Sequence, residues 1–433
     1  MKLTQTLGAL SLAAVMSLTV VGCGGGGSDT PTQTQQQTTV SEAKSKAALT
    51  AYADLAIAGY TKALADAKTL KASVNAFTTA PSATTLAAAK SAWLTARESY
   101  GITEIFRLSN GPIDAEDGFA ASFGAPEGQL NAWPLDENMI DYTTDASGTT
   151  TTGNIIDTAG NFTPSGGSAV DATTITKQVL SELNENGGDA NVATGYHAVE
   201  FLLWGQDQDY ASFIADNITH GPMTAGERPV EDYTTNPNAD RRKDYLNAAA
   251  DLIVDDLQSM VDAWTTGGYK EALIGNGSQA IDQKSALKQI MAGMGVFIKS
   301  ELANERMAVA LLTPSEEDEH SCFSDNTHRD IALNYQGFKN ALNIFKVNLS
   351  ASEKAEIDAM FTSIDAKVKT INDTAKTTKH FDYQIQPNDP SGANIKAAKD
   401  EMRALGDEMI NVAKAYGISL GEGDVTDPDE SDV

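Results

Sequence analysis

The chain has 433 residues, 59 acidic against 31 basic side chains, a formal charge of −28 and two cysteines. That balance excludes a general nucleic-acid binder, which needs a basic footprint, and docking on anionic lipid by charge alone. With Cys23 and Cys322 as the only thiols, and the first expected to carry lipid, the folded part must hold together by packing rather than by disulfides. The length is enough for about two domains.

Lys2 and the apolar run Leu7 to Val21 suit a signal-peptide core and are too short for a stable membrane span. The run ends in Val20-Val21-Gly22-Cys23, a lipobox-like sequence in which the Cys23 sulfur accepts the lipid before cleavage. Residues 1–22 are therefore expected to be a signal peptide, and 23–40, rich in Gly, Gln and Thr, a lipidated flexible tether. Gly24 after Cys23 favours the outer membrane, so the expected location is the cell envelope, on the periplasmic face or surface of that membrane.

Apolar residues at three-to-four spacing predict a helix from Ser41 to Phe77, and after Pro81 a second from Ser82 to Ile105. A Gly/Pro/Thr-rich connection runs from Ser109 to Ala172, with 143–168 reading as an insertion. Short helices follow at Thr174 to Leu183 and Val192 to Trp204, then a loop from Gly205 to Asn238. Further helices are predicted at Ala239 to Trp264, Lys284 to Leu312, Thr327 to Phe345, Ser352 to Thr374 and Ser391 to Tyr416. Strand signals are almost absent. The expected fold class is all-α: two consecutive helical bundles, 41–235 and 236–420, with long irregular loops and an acidic disordered tail at 421–433.

His197 and Glu200 lie three apart on a helix that is otherwise apolar, so they share one face and point into an interior or a cleft. A neutral imidazole and a carboxylate at that spacing can grip one cation; a buried His hydrogen-bonded to Glu is the other outcome. Glu301 and Glu305 are four apart with Arg306 beside them. Either they complete the His197/Glu200 shell from a facing helix, or they form an Arg–Glu network that ties the bundles together. Glu98, Glu104 and Arg107 allow the same two readings. From 316 to 328, Glu317/His320 and Asp325/His328 repeat an acid-x-x-His spacing around Cys322. That segment reads as a second metal site or a latch over the first; otherwise Asp325 caps the following helix, His328 faces solvent and Cys322 is a small buried filler.

Gly195-x-His197-x-x-Glu200, continued by Phe-Leu-Leu-Trp-Gly-Gln-Asp, resembles the signature of the imelysin family, most closely its iron-regulated-protein-A-like branch. Asn110-Gly111-Pro112-Ile113-Asp114, Trp133-Pro134-Leu135 and Asn238-Ala239-Asp240-Arg241-Arg242 resemble that branch too. So do Glu301-Leu302-Ala303-Asn304-Glu305-Arg306-Met307 and the segment from Glu319 to His328. The resemblance implies two helical bundles, export, a site near the domain interface around His197 and Glu200, and association with iron uptake. Some members of the family are classed as metallopeptidases.

A zinc peptidase needs three ligands, an open position and a carboxylate to activate water. Phe201 stands where the inverse motif His-x-x-Glu-His has its second His, so the segment supplies two ligands and no separate base. No nucleophile triad, P-loop or dinucleotide motif appears, and no catalytic residue is assigned. The expected function is an envelope lipoprotein that binds a metal ion, iron first and zinc or copper after it, or a small metal complex, through His197, Glu200, Glu301 and Glu305. Arg306, Glu104, Arg107, His320, Asp325 and His328 are the supporting residues. Its partners would be the membrane, through Cys23, and an iron-transport system. The alternatives are a zinc-type metallopeptidase and a non-catalytic partner- or glycan-binding module.

Overall fold

Glu42–Thr79 (α1) is a 38-residue helix whose Ala/Leu-rich sequence carries one buried stripe, from Leu49 through Tyr52, Ala56, Tyr60 and Leu70 to Phe77. At 1.5 Å per residue it is about 57 Å long, and it forms the spine for the helices that follow. The computed structural model describes residues 39–144, 148–207, 221–314 and 318–428. The expected signal peptide, Cys23, nearly all of the tether, Glu317 and the end of the acidic tail lie outside the described residues.

Pro81 follows α1, and Ser82 opens Ala83–Gly101 (α2) through a reciprocal cap. The Thr85 N–H donates to Ser82 Oγ at 3.1 Å, and the Ser82 N–H donates to Thr85 Oγ1 at 3.0 Å. A 3-10 turn, Thr103–Phe106, continues it. Short helices at Lys177–Leu183 (α3) and Gly195–Trp204 (α4) come next, then Ala239–Trp264 (α5). Among the described residues the sheet content is one antiparallel pair, Asn161–Phe162 with Val170–Asp171. Its first strand lies in the 143–168 insertion and its second just beyond, and this region is tied to α5 by Arg241. That guanidinium donates to the carbonyls of Ile155, Ile156, Thr158, Ala172 and Thr173 at 2.8 to 3.0 Å.

The remaining long helices are Gln283–Val296 (α6), Thr327–Lys346 (α7), Ala351–Thr377 (α8) and Ser391–Ala415 (α9). α6 runs into a π-helical stretch, Phe297–Val309, before closing with Ala310–Leu312. The helix predicted from Lys284 to Leu312 is thus one continuous rod with a changed winding in its second half.

α1, α2, α4 and α5 pack on one another, while α6, the π stretch, α8 and α9 form a second group. The chain beyond 235 therefore first completes the earlier group with α5, and the expected division at 235/236 falls inside that group. The described residues form one compact unit. α7 joins the two groups: it touches α8 and the π stretch on one side, and α2 and the 103–106 turn on the other. The charged residues singled out in the sequence gather along this seam. No helix among the described residues is long and apolar enough to cross a membrane.

Candidate metal centre

α4 is buried along its whole length, with His197 1% and Glu200 0% exposed. Gly195 begins it at φ +80°, and a Cβ there would stand 2.4 Å from the Leu130 carbonyl oxygen, so only glycine lets the helix start against that backbone. His197 Nδ1 and Glu200 Oε2 are 3.0 Å apart. Glu200 Oε1 accepts from the Ser324 N–H at 3.0 Å and the Ser324 hydroxyl at 2.7 Å. The pair thus clamps the turn that carries residues 319–326. Burial pushes the Glu200 carboxyl up to about 8, against the Ser324 bonds and the Arg97 charge, and pushes the His197 imidazole well below its usual value.

His320, on that clamped turn, packs edge to face on His197 with ring centroids 4.7 Å apart. Its Nδ1 lies 2.9 Å from Asp330 Oδ2, and Asp330 Oδ1 accepts from Arg97 Nη2 at 2.9 Å. Burial would raise the Asp330 carboxyl, but Arg97 and His320 outweigh it and hold it well below the carboxylate range. Both imidazoles therefore have Nδ1 on a carboxylate, the arrangement that orients a histidine ring and leaves Nε2 to act.

From Arg97 the network runs on through alternating signs. Glu104 lies 3.9 Å from Arg97 and 2.6 Å from Arg306 Nη2. Arg306 Nη2 also reaches Glu301 at 2.8 Å, and Glu301 takes Arg107 Nη1 at 2.8 Å. Arg107 Nε in turn faces Glu127 at 3.3 Å. The π winding matters here: Glu301 meets the residue five positions on, Arg306, where an α-helix would have set Glu305 above it. Glu305 is exposed and accepts from Asn304 Nδ2 at 2.9 Å. Glu301, Arg306 and Arg107 thus take the form of the Arg–Glu network. Glu98 stands apart from it in a two-point pair with Arg329 at 2.7 and 2.8 Å.

The four residues expected to ligate metal, His197, Glu200, Glu301 and Glu305, do not converge as one set. Among the described residues, the group of three or more donor side chains that does converge is Glu319, Asp325 and Asp382, with ligand atoms all within 4.8 Å of one another and all three residues buried. Asp325 also pairs with His380 Nδ1. Two expectations are corrected. Asp325 does not cap α7: it sits at φ +56° with its carboxylate buried in this cluster, and Asn326 takes the capping position with no side-chain cap bond. His328 does not face solvent: it is 8% exposed, lies 3.0 Å from the Asp325 carbonyl through Nδ1, and burial drives it down to about 4. Cys322 is a buried side chain, 5% exposed. Sequence reasoning had Glu319 in view only as part of a family segment and missed Asp382, which rides on a five-residue helix, Phe381–Ile385, far along the chain.

A family model described as imelysin matches residues 56–409. The chain belongs to the imelysin family. Two solved structures share its fold. An iron-regulated protein A precursor from Parabacteroides distasonis is 15% identical, with a TM-score of 0.58, covering 88% of this chain and 97% of its own. An imelysin-like protein from Psychrobacter arcticum 273-4 is 12% identical, with a TM-score of 0.53, covering 89% and 99%. At such identities the likeness speaks for the imelysin fold alone. No curated protein matches the chain. The segment Gly195-x-His197-x-x-Glu200 is here the brace of the 319–326 turn, which carries two of the three converging carboxylates.

Proposed function

We propose that the chain is an envelope-anchored imelysin-family protein that binds a hard metal cation, iron before others, and serves iron uptake. The observation that carries this reading is the convergence of Glu319, Asp325 and Asp382 in a buried place. Three carboxylates supply only oxygen donors, the set that suits hard cations. The name of the Parabacteroides neighbour, an iron-regulated protein, favours iron among those cations. Asp325 would be oriented by His380, and the whole turn by the Glu200–Ser324 bonds.

Titration of the chain with ferrous, ferric, zinc and copper ions tests this. Iron affinity is expected in the wild type and lost in Asp325→Asn/Asp382→Asn; affinity unchanged in that variant refutes the assignment. Loss confined to His197→Ala/Glu200→Ala, with iron still bound by the carboxylate variant, would return direct coordination to the motif pair. Envelope anchoring through Cys23 is checked by lipid labelling in cells, which Cys23→Ala must abolish.

The geometry favours binding over peptide hydrolysis. A hydrolytic base needs a carboxylate oxygen turned to water. Glu200 has one oxygen on His197 and the other on two Ser324 donors.

A further inference from the structure

A cavity of about 240 Å³ opens beside the charged network, walled by Arg107, Arg306, Asn131, Trp133 and His320, with Glu127, Glu301 and Glu305 around them. Asn131 ends the short helix Glu127–Leu130 and is 2% exposed. Its Oδ1 accepts from Arg97 Nη1, which fixes which end of the amide is oxygen, since a guanidinium only donates. The Asn131 Nδ2 group then has no protein acceptor, and neither has Arg306 Nε. A buried amide N–H₂ without an acceptor costs the full desolvation of that donor, so such a group in a cavity wall points to a ligand oxygen.

We propose that this cavity binds a small planar oxyanion, a carboxylate or a carbonate, whose oxygen accepts from Asn131 Nδ2 in the field of Arg107 and Arg306. The three carboxylates in the wall do not oppose it equally. Glu301 is engaged by both guanidinium groups. Burial pushes the Glu127 carboxyl up, toward its neutral form, and Glu305 stands at the exposed rim. The volume admits a guest of a few heavy atoms and falls short of the span of drug-sized pockets. Trp133 and Pro134 supply the apolar part of the wall. This site is separate from the Glu319/Asp325/Asp382 cluster, so its test does not depend on metal binding.

The test is calorimetric titration of the metal-free chain with oxalate and, separately, with bicarbonate, which distinguishes the two sources of the anion. Saturable binding of at least one is expected. Asn131→Asp keeps the oxygen that Arg97 needs and replaces the donor by an acceptor, so it should weaken binding by about tenfold or more with the melting temperature held. Absence of saturable heat with both anions overturns the proposal, as does equal affinity in Asn131→Asp. Should that variant not fold, selective nitrogen-15 labelling of asparagine in the wild type still decides. The Asn131 side-chain amide resonance must shift on saturation, and a stationary resonance refutes the contact.

Discussion

Two buried clusters of charge meet at the α7 seam, and they are built on opposite rules. In the first, Arg97, Glu104, Arg107, Glu301, Arg306 and Asp330 alternate in sign, each guanidinium touching one or more carboxylates at hydrogen-bond or ion-pair distance. In the second, Glu319, Asp325 and Asp382 concentrate one sign within 4.8 Å, with His380 at Asp325. The same kinds of side chain thus serve different ends. An alternating set offsets its own desolvation and fixes how two helix groups meet. A single-sign set draws in positive charge.

The largest test of that contrast is Arg306→Ala. It leaves the buried Glu104 without its close guanidinium while Glu301 keeps Arg107, and a loss of about 3–5 kcal/mol in the urea midpoint analysis is expected. A loss below about 1 kcal/mol would mean that the alternating cluster is not a tight network. In the carboxylate cluster the expected effect is on the ligand. Asp325→Asn/Asp382→Asn should cut cation affinity roughly a hundredfold or more while the metal-free protein still melts cooperatively. Calorimetry and thermal melts read the two effects separately.

Acid sharpens the comparison further. Burial raises the Glu301 carboxyl, but Arg107 and Arg306 bring it down to about 2 from an ordinary 4.5. Its contribution is therefore complete above pH 4.5 and is lost as pH falls toward 2. Glu301→Gln should remove on the order of 1–2 kcal/mol at pH 7 and nothing near pH 2, as measured by denaturation at both pH values. Asp256 gives the opposite slope. Burial lifts it to about 7, with Gln129 Nε2 as its hydrogen-bond donor at 2.9 and 3.0 Å. Its ionised form is disfavoured in the fold, so stability falls as pH rises from 4 to 7. Asp256→Asn should then gain roughly 1 kcal/mol above pH 7 and nothing at pH 4.

The helices were readable because their signals are local. Ser82 opens its helix through a side-chain cap, Pro81 follows α1, and the buried stripe of α1 repeats along its length. The site was readable only in part. His197 and Glu200 do share a face and bond to each other, as their spacing requires. What could not be read was winding and distance. The change to π geometry at Phe297–Val309 has no compositional mark, and it moved Glu301 from Glu305 to Arg306. Asp382 reaches its two partners across more than fifty residues of chain, a contact that exists only once α8 has folded back. The 143–168 insertion is anchored in part by Arg241, which donates to the carbonyl groups of Ile155, Ile156 and Thr158, a long-range contact that no local signal marks.

The π stretch has a mechanical corollary. Each turn of it holds close to one residue more than an α turn, so the rod is overfilled between Phe297 and Val309. Removing a single residue there would let one turn of the backbone relax into ordinary winding and rotate Arg306 off Glu104 and Glu301, together with its buried apolar neighbours Met307 and Ala308. Chain length at this spot, as much as side-chain identity, keeps the seam closed.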